Sequence, residues 1–178
     1  MEIVDDSAYS FRSVDNSITY DSVYGDDEHC SSKHGILIYE EERVRRTALV
    51  WAGAGSTAVH EHSAVISDAA LFLCCSNKVF SLSLPELELR WANKADLACC
   101  FGVYDYGGDL IVHGELDVSR IDLDGNEKWS ISFADITVTP DGRRSFQMTS
   151  DHIEVIDWLG NRYKVDYQTG ESLMIESR

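Results

Sequence analysis

The chain has 178 residues, of which 31 are acidic and 15 are Lys or Arg, so its formal charge at pH 7 is −16. A hydrophobic fraction of 44% with 10% aromatics is enough to build one buried core, which excludes wholesale disorder. The charge argues against nucleic acid and anionic membrane as direct partners, since both repel a strongly negative surface, and it leaves a basic protein partner as the class it favours.

The first ten residues carry Asp5 and Asp6 and no basic cluster, which does not fit a secretory signal. No apolar run approaches the roughly 18 residues that would cross a bilayer. Residues 1–34 read as an acidic, polar lead-in, partly ordered, in which eight acids up to Glu28 stand against Arg12 alone. Within it, Asp26, Asp27 and Glu28 are candidate contact residues, and Ser22-Val23-Tyr24 hints at a short edge strand.

Residues 35–178 read as a single all-β domain. Gly35–Tyr39, Thr47–Trp51, Ser63–Ser67 and Ala70–Cys75 are compact β-prone runs, and Lys78–Leu84 and Glu86–Trp91 alternate with period two. Turn signals separate such runs at Asn77-Lys78, Gly107-Gly108, Asp124-Gly125, Asp141-Gly142, Leu159-Gly160 and Thr169-Gly170. No window sustains a helical period.

A repeat underlies the pattern. Val79–Trp91, Val118–Trp129 and His152–Tyr163 each read as an alternating strand, a tight turn and a strand closing on a large aromatic, and Tyr163–Leu173 is a shorter echo. The units fall near 36–51, 71–91, 110–129 and 146–173, with aromatic ends expected at Trp51, Trp91, Trp129 and Tyr163. The spacing predicts antiparallel β-meander repeats of propeller type, packed either as a two-sheet sandwich or as a minimal propeller-like fold.

These hairpins resemble those of quinoprotein-like β-propellers, in which an alternating strand runs into Asp-x-x-Gly and then a Lys/Arg-Trp ending. His60-Glu61, Val79–Trp91, Cys100–Tyr104, His113–Leu116 and Ile121–Trp129 are also similar to stretches of small, uncharacterised cytosolic proteins of bacteria. The resemblance implies the propeller-type fold and a cytoplasmic location. It carries no activity and no catalytic residue with it.

Residues that could carry chemistry are few. Gly53-Ala54-Gly55-Ser56-Thr57-Ala58 fits a dinucleotide fingerprint, but β-prone sequence follows where a helix is required, so no cofactor is expected. His60 and His62 would share a face if their segment were a strand, and with His113 they are candidate metal ligands. His113 and Glu115 could serve acid–base chemistry or a cross-strand pair. The five cysteines lack zinc-type spacing and read as free thiols of a reducing compartment.

The sequence-based expectation is therefore a non-enzymatic protein-binding module, an acidic inhibitor or immunity-type protein masking a basic partner such as a toxin domain. Glu115, Asp117, Asp122, Asp124 and the partly exposed Trp158 join Asp26, Asp27 and Glu28 as its candidate contact residues. A propeller-like scaffold of unknown ligand, and a metal-dependent enzyme centred on His60 and His62, are the alternatives.

Overall fold

The computed structural model describes residues 1–25 and 30–177, and all of its regular elements are β-strands. Sixteen strands make four four-stranded sheets. Sheet 1 holds β1 (Glu2–Asp5), β2 (Ser22–Tyr24), β3 (Ser32–Glu40) and β4 (Arg43–Ala52), in the order β1-β3-β4-β2. Sheet 2 holds β5 (Ala64–Ser67), β6 (Ala70–Cys75), β7 (Lys78–Ser83) and β8 (Leu89–Lys94). Sheet 3 holds β9 (Cys100–Tyr106), β10 (Asp109–Gly114), β11 (Asp117–Asp122) and β12 (Glu127–Ser132). Sheet 4 holds β13 (Phe146–Met148), β14 (Ile153–Ile156), β15 (Arg162–Val165) and β16 (Ser172–Glu176).

Sheets 2, 3 and 4 are antiparallel meanders with their strands in chain order. Sheet 1 is assembled differently: β1 and β2 come from the acidic lead-in, and β2 runs parallel to β4. Of the two expected packings, the chain adopts the propeller type. A two-sheet sandwich is not formed, because each meander ends after four strands and stacks face to face on the next. Three apolar clusters fill the successive interfaces, built around Leu71 and Phe80, around Phe72 and Leu110, and around Ile111 and Ile153.

The expected glycine turns lie where the sequence puts them, with Gly107 and Gly108 both at positive φ between β9 and β10. Two further hairpins carry no glycine. Glu41 and Glu42, and Asp68 and Ala69, all hold φ between 45° and 64°, a pattern that propensity disfavours for side chains with a Cβ.

Paired residues share a face, so rows read across each sheet name what it presents to its neighbour. Sheet 2 turns Val65, Phe72, Ser81 and Trp91 toward sheet 3, and sheet 3 turns Tyr104, Ile111, Arg120 and Trp129 toward sheet 4. The corresponding row of sheet 1 ends on Tyr24. The last aromatic of each row bonds the outer hairpin of the next sheet. Tyr24 OH donates to the Leu87 carbonyl at 3.0 Å, Trp91 Nε1 to Leu123 at 3.0 Å and Trp129 Nε1 to Tyr167 at 3.0 Å. The equivalent aromatics are thus Tyr24, Trp91 and Trp129. Trp51 and Tyr163, expected in this series, lie instead on β4 and β15.

Glycine admits the two tryptophans. A Cβ on Gly125 (φ +87°) would lie 2.9 Å from Trp91 Cδ2, and one on Gly170 (φ +70°) would lie 2.8 Å from Trp129 Cδ2. Gly142 has a similar φ of +70° with open space around it. Gly142→Ala should therefore lose only the backbone term, about 1–2 kcal/mol. Gly125→Ala should lose that and the Trp91 contact as well, roughly 3 kcal/mol in all by urea unfolding.

The other face of sheet 1 is covered by the chain's own N-terminal segment. Tyr20 lies over Gly35, where an added methyl would overlap its hydroxyl, and that hydroxyl donates to Asp6 Oδ2 at 2.7 Å. Lys33 Nζ donates to the Tyr9 carbonyl at 2.7 Å, Thr47 Oγ1 to Thr19 at 3.1 Å, and Phe11 packs on Trp51 at 4.9 Å between ring centroids. Among the described residues no apolar cluster or hydrogen bond joins sheet 4 to sheet 1.

Candidate interaction surface

The candidate contact residues do not form one patch. Asp26, Asp27 and Glu28 lie outside the described residues. Asp117 and Asp122 stand at opposite ends of β11, about 16 Å apart at strand rise. Asp117 accepts from Ser132 Oγ at 2.5 Å. Asp122 anchors its hairpin: Oδ1 accepts the backbone N–H groups of Asp124 at 3.0 Å and Asn126 at 2.8 Å. The Asn126 side chain and these N–H groups hold its carboxyl below the usual carboxylate range. Asp124 is exposed, with Arg90 at 3.8 Å. Glu115 is half-buried, and its carboxylate adds to burial in pushing the Cys99 thiol up to about 11. Trp158 is 45% exposed at the β14–β15 hairpin.

The three candidate histidines do not converge. His60 and His62 lie in a turn before β5, closed by the Ser63 N–H donating to the His60 carbonyl at 3.0 Å, so the shared strand face does not exist. The His62 N–H donates to His60 Nδ1 at 3.2 Å, and the His62 ring packs on Tyr104. His113 is buried on β10, stacked on Phe146 at 4.4 Å. Thr137 Oγ1 gives its proton to the Gly114 carbonyl at 2.6 Å, so His113 Nε2, at 2.9 Å, donates to Thr137 and the ring is the neutral Nε2–H tautomer. Among the described residues no group of three or more His, Cys, Asp or Glu side chains is placed to hold a metal ion.

The other buried ionisable groups serve the scaffold. Asp109 accepts from Lys128 Nζ at 2.7 Å and Arg120 Nε at 2.7 Å. Burial alone would raise its pKa, but those two cations outweigh burial and hold it below the usual range. Asp157 accepts the Asn161 N–H at 2.9 Å and Tyr163 OH at 2.9 Å. Asp96 accepts from Ala98 N at 2.6 Å and Leu116 N at 2.9 Å. All three carboxylates are hydrogen-bonded within the chain. The Gly53–Ala58 segment is a brace between sheets rather than a phosphate cradle: Ala54 N donates to Ser76 Oγ, Gly55 N to the Ala98 carbonyl, and Thr57 N to Ser32 Oγ.

Sheet 4 departs from its neighbours. The row that is largely apolar in sheets 2 and 3 here reads Gln147, Glu154, Lys164 and Leu173. Leu173 occupies the place of Trp91 and Trp129 and is 66% exposed. Its strand, β16, pairs only with β15 and is exposed along its length. Met174 is 45% exposed and Ile175 47%. The outer strand β8 carries Arg90 and Lys94 and β12 carries Lys128, whereas β16 has no cation. Beside β16 runs an open groove of about 540 Å³ whose lining includes Asp151, Lys164, Asp166, Glu171 and Leu173. The sequence signal for this surface, three consecutive apolar residues in the weakest repeat, was available but not decisive without the sheet order.

No protein-family model and no curated protein matches the chain. Among solved structures it is similar to the WD40 domain of Pan2 from Neurospora crassa, with TM-score 0.50 and 17% identity over 63% of this chain and 36% of that one. It is similar to BamB from Moraxella catarrhalis, with TM-score 0.54 and 14% identity over 78% of this chain and 42% of that one. It is similar also to the AfRom2 CNH domain, with TM-score 0.52 and 13% identity over 83% of this chain and 50% of that one. The chain thus spans half or less of each of these structures. At such identities the likeness establishes the propeller-type fold alone.

The buried histidine generates a pH prediction. Burial pushes the His113 pKa down to about 3, so below about 6.5 the unfolded chain binds a proton that the folded chain does not. Stability therefore falls on acidification through pH 6.5, by roughly 1 kcal/mol per pH unit for this residue. Urea unfolding at pH 7.5, 6.5 and 5.5 should show that loss, and His113→Asn should reduce it, the remainder coming from His34, whose pKa burial also lowers.

Proposed function

We propose that the chain is a non-enzymatic protein-interaction module whose partner presents a basic face, and that it acts as an inhibitor or immunity-type protein by covering that face. The observation that carries the reading is the distribution of charge. The 15 cations cannot balance 31 acids, and several that pair within the chain, such as Arg120 and Lys128 with Asp109, are committed to holding it together. The surplus carboxylate is left to solvent, where it would steer a basic partner and set its register. The propeller-type fold supports an interaction role broadly. The buried polar groups at Asp96, Asp109, Asp157 and His113 all have partners within the chain, which supports a structural assignment for each of them. The buried thiols of Cys74, Cys75, Cys99 and Cys100 favour a cytoplasmic site of action.

The test is cross-linking of the full chain in its native cell, followed by purification of the captured protein and stopped-flow association. The expected partner has an isoelectric point above about 9, loses its own activity when bound, and associates at least tenfold more slowly on raising salt from 50 to 500 mM. A partner without a basic face, or association indifferent to salt, would overturn the reading.

A further inference from the structure

We infer that β16 is a strand-addition site that takes an extended, basic segment of a protein partner. The inference rests on the proposed function and gives it a location. An outer strand with unpaired backbone groups is a template for another chain unless it is short, twisted or guarded by charge. In this molecule β8 carries Arg90 and Lys94, β12 carries Glu127 and a Lys128 whose ammonium is held by Asp109, and β2 is only three residues long. β16 has five residues and no cation, and its three central positions are exposed Leu173, Met174 and Ile175.

The strand also offers side-chain discrimination. Leu173 pairs with Lys164 and points outward from the stack, while Met174 pairs with Tyr163 and points toward sheet 3. An added strand would lay apolar side chains beside Leu173 and Ile175. Its ends would meet acids: Glu171 precedes the strand, and Glu176, which closes it, shares its carboxylate with Arg162 at 3.6 Å. Glu171, Asp151 and Asp166 outnumber Lys164 in the lining of the adjoining groove. Basic residues at the ends of the incoming segment fit that pattern, with the aliphatic stem of one lying along Leu173 and its charged head in the groove.

A second copy of this chain is the poorer occupant. Antiparallel pairing of two β16 strands about Met174 would set Glu176 of each against Ser172 and Glu171 of the other, and would bring together two bodies of charge −16. Charge complementarity selects a basic partner over self-association.

The experiment titrates the full chain with a synthetic nine-residue peptide alternating Val and Thr between terminal lysines, and with the same peptide carrying terminal glutamates. Affinity is read by fluorescence anisotropy, and the amides of residues 172–176 are followed by hydrogen exchange. The inference expects the lysine peptide to bind at least tenfold more tightly than the glutamate peptide and to slow exchange along β16. Ile175→Lys and Leu173→Lys should each weaken it at least tenfold, with far-UV circular dichroism unchanged. Binding that leaves the β16 amides unprotected, equal binding of the two peptides, or a dimer abolished by Ile175→Lys would overturn it. A natural basic partner that binds Ile175→Lys as tightly as the unaltered chain would overturn this location and leave the proposed function standing, whereas the absence of any basic partner would remove the proposed function.

Discussion

The hydrogen bond from an aromatic at the end of one row to the outer hairpin of the next sheet is the contact on which the stack depends. A four-stranded sheet has two faces and cannot bury both by itself. Each sheet here is completed by its successor, and Tyr24, Trp91 and Trp129 fix how successive sheets meet. Each donor is large enough to fill the space between sheets and polar at its tip, so one side chain supplies apolar burial and a directional bond. Glycine at positive φ in the receiving hairpin, at Gly125 and Gly170, is what allows the indole ring to lie against the backbone.

A stack built this way has two ends, and the chain treats them differently. At sheet 1 the exposed face is closed by the N-terminal segment, through Tyr20 over Gly35 and Phe11 on Trp51. At sheet 4 the face is made partly polar by Glu154 and Lys164. The polar substitution stops short of β16, where Leu173 keeps the position of a linking aromatic without its size or its donor. The interface chemistry proposed for the chain follows from the apolar, cation-free outer strand β16.

Although β9 and β13 were not read as strands and β8 is shifted three residues beyond the run Glu86–Trp91, the sequence carried many strands of sheets 2, 3 and 4, because a meander is a local object in which alternation marks the strand and, at Asp122–Gly125 and Asp157–Gly160, Asp-x-x-Gly marks the turn. Trp91 and Trp129 were legible as interface residues for the same reason. Sheet 1 was harder to read. Its fourth strand, β2, lies about twenty residues before the strand it pairs with in parallel, and no local pattern reports such a pairing. Tyr24 was therefore missed as the first member of the aromatic series, and Trp51 stood in its place. The Glu41-Glu42 hairpin was legible from charge, acids at 40–42 followed by Arg43, Arg45 and Arg46, whereas the Asp68-Ala69 hairpin was invisible to turn propensity because the surrounding strands impose the backbone. The carboxylates show the limit for sites. Asp122 and Asp124 look alike in sequence, yet one anchors its turn and the other is exposed.

The central claim is that each aromatic and the glycine beneath it act as one unit joining two sheets. A double-mutant cycle on Trp129→Leu and Gly170→Ala, followed by urea unfolding, tests it most directly. If Trp129 rests on Gly170, removing the indole makes the added methyl far less harmful, and the double variant should be more stable than the sum of the single losses allows, by at least about 1 kcal/mol. Losses that add within about 0.3 kcal/mol would mean that the two residues do not act together, and the stack would need another account of what joins sheet 3 to sheet 4.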